Sequence, residues 1–287
     1  MHIPVLIDEV LEYLDPQQGD VVVDATFGFG GHSKEILKKI GDKGTLIGIE
    51  KDKEVFDKVS DQFEQNVKVV NSDFENIDQI LDKLKIKSVD KILFDLGISS
   101  FHFDESDRGF SFARNEPLDM RLDKESGVTA ADLLNGLSRD ELANLIFTLS
   151  DEPKSRVIAK EVYEQRKKSK IETTDQLVEI IKKVKPYSGK INPATQTFQA
   201  LRIAVNDELH KLEDTLPKAL KILKKGGRIA VISFHSGEDR IVKNVFREMG
   251  KDNIVKILTK KPIVASFDEI KQNPRSRSAK LRAIERI

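Results

Sequence analysis

Apolar and polar positions in the first hundred residues alternate between two rhythms. Short apolar runs rich in β-branched residues occur at 21–25, 45–49, 67–71 and 89–94. Between them, residues 33–40, 53–65 and 77–84 carry apolar positions at helical spacing. Buried apolar strands separated by helices of this length predict βαβ units and a parallel sheet covered on both faces. The rhythm stops after Asp95. Residues 102–126 are rich in Asp, Arg, Gly and Phe with no period, which predicts a long functional loop. Helices are predicted at 129–135, 138–149, 154–168 and 173–185, with Ser138 and Thr173 as N-caps. After Asn192-Pro193 one long helix is predicted over 194–223, bent at Pro217. Strand character returns at 227–233, then a helix at 238–249 and short strands at 254–258 and 279–287. The expected architecture is α/β, one sheet interrupted after its fourth strand by an all-helical insert.

Composition narrows the chemistry. With 287 residues, 39% hydrophobic and 33% charged, the chain can build a sizeable core under a charge-rich surface. Lys plus Arg and Asp plus Glu are both 48, so no overall field draws in a polyanion. Residues 240–287, however, hold 13 Lys/Arg against 5 Asp/Glu, which points to an anionic partner docking at one place. The absence of cysteine excludes disulfides, thiol catalysis and Cys-ligated zinc. Five histidines stand at 2, 32, 102, 210 and 235, none three or four apart, so no metal site is expected. No apolar run reaches the ~18 residues of a membrane span, and the N-terminus lacks a secretory pattern. A cytoplasmic location is expected.

Six segments carry candidate chemistry. Asp24-Ala25-Thr26-Phe27-Gly28-Phe29-Gly30-Gly31-His32-Ser33 lies at a strand-to-helix junction, and Glu50 ends the next strand, 20 residues beyond Gly30. Such a loop and acid hold nucleotides in α/β folds, the acid on ribose hydroxyls. Ser33 departs from the dinucleotide fingerprint, and no Lys-Ser/Thr follows for a P-loop. Asp24 and Asp95 at neighbouring strand ends would repel a pyrophosphate but suit a ligand with ammonium and sulfonium charges, namely S-adenosyl-L-methionine. Asp95-Leu96-Gly97-Ile98-Ser99-Ser100 places a methyl acceptor beside it, and Ser233-Phe234-His235-Ser236 ends the following sheet strand. Asp95 and His235 are the candidate catalytic residues. Ser236 with Asp239 is the expected capping box of the next helix. Thr195, Gln199, Arg202 and Asn206 form one polar stripe on a helix, expected to meet a polar ligand or the neighbouring domain, with Arg202 a candidate contact to substrate RNA. Arg108 with Phe110, and Arg275 with Arg277, offer guanidinium and aromatic groups to RNA; the dull alternatives are loop pinning and solvated charge.

Taken together these stretches resemble the RsmH (MraW) family of bacterial small-subunit ribosomal RNA cytosine N4-methyltransferases. The matching residues run in order through the chain: His2-x-Pro4-Val5-Leu6, the glycine loop from Asp24 to Ser33, Asp95-Leu96-Gly97-x-Ser99-Ser100, Arg108 to Phe112, and Pro117 to Arg121. They continue through Pro193-Ala194-Thr195, Thr197 to Ala200, Ser233 to Ser236, Glu238-Asp239-Arg240 and Asn273-Pro274-Arg275. The resemblance implies a Rossmann-like class I S-adenosylmethionine-dependent methyltransferase domain, residues 1–102 and 198–287, with a helical substrate-recognition insert at 103–197. It implies cofactor contacts at Gly30, Gly31, His32, Glu50, Phe74, Asp95 and His102. It also implies methylation of a cytidine N4 in the decoding region of 16S rRNA, in a small ribosomal subunit particle. The chain departs from the family at Glu50 (usually Asp), His102 (usually Gln), Ser150 to Pro153, Gly237 (usually Leu) and a shorter 250–270 region. A homodimer, a small-molecule or protein substrate, and a non-catalytic assembly factor all stay open on the sequence.

Overall fold

A computed structural model describes residues 4–63, 66–125, 127–187 and 192–287. His2, Gln65 and Ser126, each part of an expectation above, lie outside the described residues. The chain divides into two compact units, residues 1–97 with 209–287, and residues 98–208.

The first unit is built on α1 (Ile7–Leu14), β1 (Val21–Asp24), α2 (Gly31–Ile40), β2 (Thr45–Glu50), α3 (Lys53–Val59), β3 (Val67–Asn71), α4 (Ile77–Lys83) and β4 (Val89–Asp95). The second contains α5 (Ser100–Asp104), α6 (Ala130–Gly136), α7 (Arg139–Ser150), α8 (Ser155–Arg166), α9 (Thr174–Val184) and α10 (Thr195–Asn206). The first then resumes with α11 (Glu208–Ile222), β5 (Leu223–Ser233), α12 (Ser236–Lys251), β6 (Val255–Ile257), β7 (Ile263–Val264), α13 (Phe267–Gln272) and β8 (Lys280–Arg286). Its sheet runs β3-β2-β1-β4-β5-β8-β6, with β7 beside one end of β8. The first five are parallel, and β8 is antiparallel to β5. This is a Rossmann-like sheet whose strand order reverses between β1 and β4, where such folds bind ligands beyond the carboxyl ends.

Alternation along the strands sorts side chains to two faces. Val23, Ile92, Phe94, Ile229 and Val231 join a core with Leu216 of α11 and Phe246 of α12. Val22, Leu93, Ala230 and Ile232 join the other, with Val10 and Leu14 of α1 and Ile36 and Ile40 of α2. Full burial of each large aliphatic contributes roughly 1.5–3 kcal/mol. A third core, including Leu134, Ile146, Ile158, Leu177 and Leu201, closes the helical unit on itself.

Three expectations need correction. The helix read as continuous over 194–223 breaks at Asp207, which adopts left-handed φ 53° and ends α10. Pro217 is accommodated within α11. Because Phe198, Ala200 and Leu201 of α10 pack into the helical core, this unit reaches from 98 to 208 rather than 103 to 197. β5 begins at Leu223, four residues earlier than the apolar pattern indicated.

Candidate active site

Three acids end three adjacent strands of the first unit: Asp24 on β1, Glu50 on β2 and Asp95 on β4. The glycine loop crosses above them, with Gly28 at φ 53° and Gly30 at φ 71°, a conformation that favours residues without Cβ. Asp24 is buried inside this scaffold. One carboxylate oxygen accepts from Ser33 Oγ at 2.6 Å and the other from the Thr26 N–H at 3.2 Å. Its charge is thus taken up in joining β1 to α2, and burial raises its pKa.

Glu50 holds the loop from the next strand. Its Oε2 accepts from the Gly28 N–H at 2.9 Å and its Oε1 from the Asp52 N–H at 2.7 Å. Burial outweighs both hydrogen bonds and pushes its pKa up to about 7, with Asp52 and Asp24 adding repulsion. Each oxygen keeps a second lone pair for a ligand hydroxyl.

Asp95 is fixed through its backbone, whose N–H donates to Thr26 Oγ1 at 2.6 Å. Its Oδ2 lies 3.4 Å from His32 Nδ1. Its Oδ1 is enclosed and has no hydrogen-bond partner among the described residues, although 22% of the side chain is exposed. Burial raises its pKa to about 6; His32 opposes the shift and the charges of Asp24 and Glu238 reinforce it. The buried His32 ring is 2.8 Å from the Val5 carbonyl through Nε2. A carbonyl only accepts, so Nε2 carries a proton and Nδ1 is the nitrogen turned to Asp95. Phe74 opens a 3-10 turn after β3, half-buried and edge-on to Phe94 with centroids 5.8 Å apart. Beside it Asp73 meets Lys51 at 3.0 Å and Lys211 at 2.8 Å. These cations overcome burial and hold its carboxyl below the usual range. Thr26 and Val5 stand in the motifs quoted above, but the bonds they make to Asp95 and His32 and this ion network escaped the sequence reading, because a hydroxyl's partner, a backbone carbonyl and distant charges leave no spacing to read.

His235 follows β5, but its role in the fold is a cap. Its Nδ1 accepts the Glu238 N–H at 3.4 Å, while Glu238 Oε2 accepts the Phe234 and His235 N–H groups at 2.7 and 3.2 Å. Its Nε2 lies 3.2 Å from Glu238 Oε1 and is buried without a hydrogen-bond partner among the described residues. The cap is therefore His235 with Glu238, not Ser236 with Asp239. Asp239 instead pairs with Arg282 at 2.7 Å and Lys280 at 3.5 Å.

In the helical unit His102 is buried. Its Nδ1 accepts the Ser99 N–H at 3.1 Å, capping α5, and its ring stands edge-on to Phe110 at 5.3 Å. Arg108 and Phe110 turn inward, which corrects their assignment to RNA. Both are under 5% exposed; Arg108 donates to the carbonyls of Arg121 at 3.0 Å and Leu122 at 3.3 Å, and Phe110 joins the helical core. Asn206, the last member of the polar stripe, donates to the Met120 carbonyl at 2.8 Å and accepts from the Leu122 N–H at 2.9 Å. Arg202 clasps Glu208 through two hydrogen bonds of 3.0 and 2.9 Å. The Arg108 and Asn206 contacts pin the loop from within, and the Arg202 side chain is held by Glu208 rather than offered to RNA as expected. Arg275 and Arg277, in the first unit, are exposed on a 3-10 turn over Pro274–Ser278.

The profile of the MraW methylase family matches residues 1–287. Proteins named ribosomal RNA small subunit methyltransferase H are similar along the whole chain. That of Dictyoglomus thermophilum is 47% identical over 290 residues, covering 100% of this chain and 97% of its own. Those of Caldicellulosiruptor saccharolyticus and Clostridioides difficile are 45% and 44% identical over 305 and 307 residues, covering 100% of this chain and 99% of theirs.

The residues present fit a cationic nucleoside cofactor. An enclosed carboxylate oxygen without a partner at Asp95, lone pairs on Glu50, and a half-buried Phe74 supply groups for charge, ribose and base. With its full length matched and its acids at the switch point of a Rossmann-like sheet, the chain belongs to the MraW methylase family, whose methyl donor is S-adenosyl-L-methionine.

Proposed function

We propose that this protein methylates the exocyclic N4 of a cytidine in the decoding region of 16S rRNA, presented as free RNA or in a small-subunit particle. The observation that carries the reading is full-length similarity to proteins whose names state small-subunit ribosomal RNA methylation. In this reading the protein works in the cytoplasm and the helical unit recognises substrate.

When bound, the cofactor supplies an electrophilic methyl on a sulfonium sulfur. Glu50 would accept the ribose hydroxyls, Phe74 would pack on the base, and the backbone of Gly30 and Gly31 would line the amino-acid end beside His32. Asp95 Oδ1 would accept an N–H of the target amino group. The nitrogen lone pair of cytosine is delocalised into the ring, so the protein's task is to hold that group in line with the methyl and stabilise developing charge. As the nitrogen gains its methyl its proton becomes acidic, and a carboxyl raised to about 6 is a competent acceptor near neutral pH. A chain without cysteine offers no thiolate for a covalent adduct at ring carbon 6. The test is digestion of RNA methylated in vitro, naked or in particles, with separation of methylcytidine isomers. N4-methylcytidine is expected; label on carbon 5 or on the ribose oxygen overturns the reading.

A further inference from the structure

The methylase unit carries a small lobe that the chemistry above does not use. It consists of β7, α13 and the 3-10 turn at Pro274–Ser278; the turn packs on both other elements. Phe267, the first residue of α13, is 81% exposed, the highest value among the exposed large hydrophobics. Lys271 is on the same helix, Arg275 and Arg277 are on the turn that packs against it, and Lys260 and Lys261 precede β7; all five are exposed, while Asp268 is the one exposed acid between residues 256 and 280. Glu269, the other acid there, is half-buried and accepts the Leu6 N–H at 2.8 Å.

Strand register fixes where this lobe stands. Asp95 is opposite Ile232 on β5, Ser233 is opposite Lys280 on β8, and Lys280 is opposite Val264 on β7. The lobe therefore sits on the rim that bears the three acids, at the end of the run β4-β5-β8-β7. Three strand spacings put it about 14 Å from Asp95 along that rim.

We infer that this lobe is a platform for the single-stranded RNA flanking the target nucleotide, with Phe267 stacking on one base and the surrounding cations holding phosphates. An exposed aromatic ring within a cationic surface is the combination that tracks single strands, because every base offers a π-face and every linkage a charge. The inference rests on the proposed RNA substrate and adds where its flank lies.

The experiment measures binding of a fluorescein-labelled, 16-nucleotide single-stranded oligocytidylate by anisotropy at several salt concentrations. Wild type, F267A, F267W and R275Q/R277Q are compared. F267A is expected to weaken binding about tenfold, the loss of one base–aromatic stack, with its salt dependence unchanged. F267W should bind as wild type does. R275Q/R277Q should lower the slope of log K against log salt by about 1.4, two phosphates on a single strand. Unchanged affinity for S-adenosylhomocysteine in calorimetry verifies that each variant is folded. F267A binding within twofold of wild type, or a double variant with an unchanged slope, overturns the platform. Tritium transfer from the cofactor to rRNA by wild type separates the two readings. Its absence removes the RNA substrate itself, whereas transfer with an unaffected F267A removes only the platform.

Discussion

Replacing Glu50 by Gln should stabilise the ligand-free protein at pH 8 while weakening its hold on the cofactor. Unfolded, this carboxyl titrates near 4.5; folded, burial moves it to about 7. Below 4.5 both states hold the proton. Between the two values the folded state binds more protons than the unfolded, so stability falls as pH rises and the loss is complete above about 7. At 1.36 kcal/mol per pH unit the full loss is about 3 kcal/mol. Gln does not titrate, but its amide has one acceptor oxygen for two backbone donors, Gly28 and Asp52, which costs about 1 kcal/mol. E50Q should thus be roughly 0.5 kcal/mol less stable than wild type at pH 4.5, where half of the unfolded carboxyl is already ionised, and about 2 kcal/mol more stable at pH 8, the curves crossing at about pH 5. Urea unfolding followed by circular dichroism from pH 4.5 to 8 measures this. Asp95 is also raised by burial and tilts both proteins alike, so the difference between the curves reports Glu50 together with its repulsion from Asp52 and Asp24. Parallel curves would refute the argument, as would wild type gaining on E50Q with rising pH.

Asp95→Asn should lower cofactor affinity in calorimetry by at least about tenfold, the usual weight of a charged partner, without lowering the unfolding midpoint at pH 7; equal affinity would remove Asp95 from the site. His235→Asn keeps an acceptor at the N-cap and should retain methyl transfer, whereas His235→Ala should cost about 1 kcal/mol in urea; a large rate loss in the Asn variant alone would restore a chemical role to the ring. Asn206→Ala strands the Met120 carbonyl and the Leu122 N–H, so about 2–3 kcal/mol of stability should go. Limited proteolysis should then cut between residues 105 and 125 faster than in wild type.

The parallel strands were legible because strands buried on both faces read as unbroken apolar runs, and 45–49 and 89–94 agree with β2 and β4 to within one residue. The glycine loop and Glu50 were legible through spacing. Other features left no such trace. Asp207 in a left-handed conformation looks no different from any helical Asp, so the end of the helical unit was invisible. His235 lies outside the usual N-cap residues, which directed attention to Ser236. Arg108 and Phe110 have one composition whether they face a base or each other, and only burial, with the guanidinium 5.7 Å above the ring, decides. The helix at Ile7–Leu14 was missed although Ile7, Val10, Leu11 and Leu14 fall at i, i+3, i+4 and i+7, a legible helical pattern.

The placement of β8 between β5 and β6 has a consequence for the nascent chain. β5 pairs with β4 on one side, but its other neighbour begins at Lys280, 47 residues downstream of Ser233. At ribosomal speeds of about 5–20 residues per second, the open edge of β5 waits roughly 2–10 s for its partner. During that interval it is an unpaired apolar strand of the kind that recruits other chains. The edge of β4 waits longer still, because β5 begins at Leu223, 128 residues beyond Asp95, roughly 6–26 s at the same speeds. Open apolar edges therefore persist through most of synthesis, and a holdase should be found on the growing chain from the emergence of β4 onward.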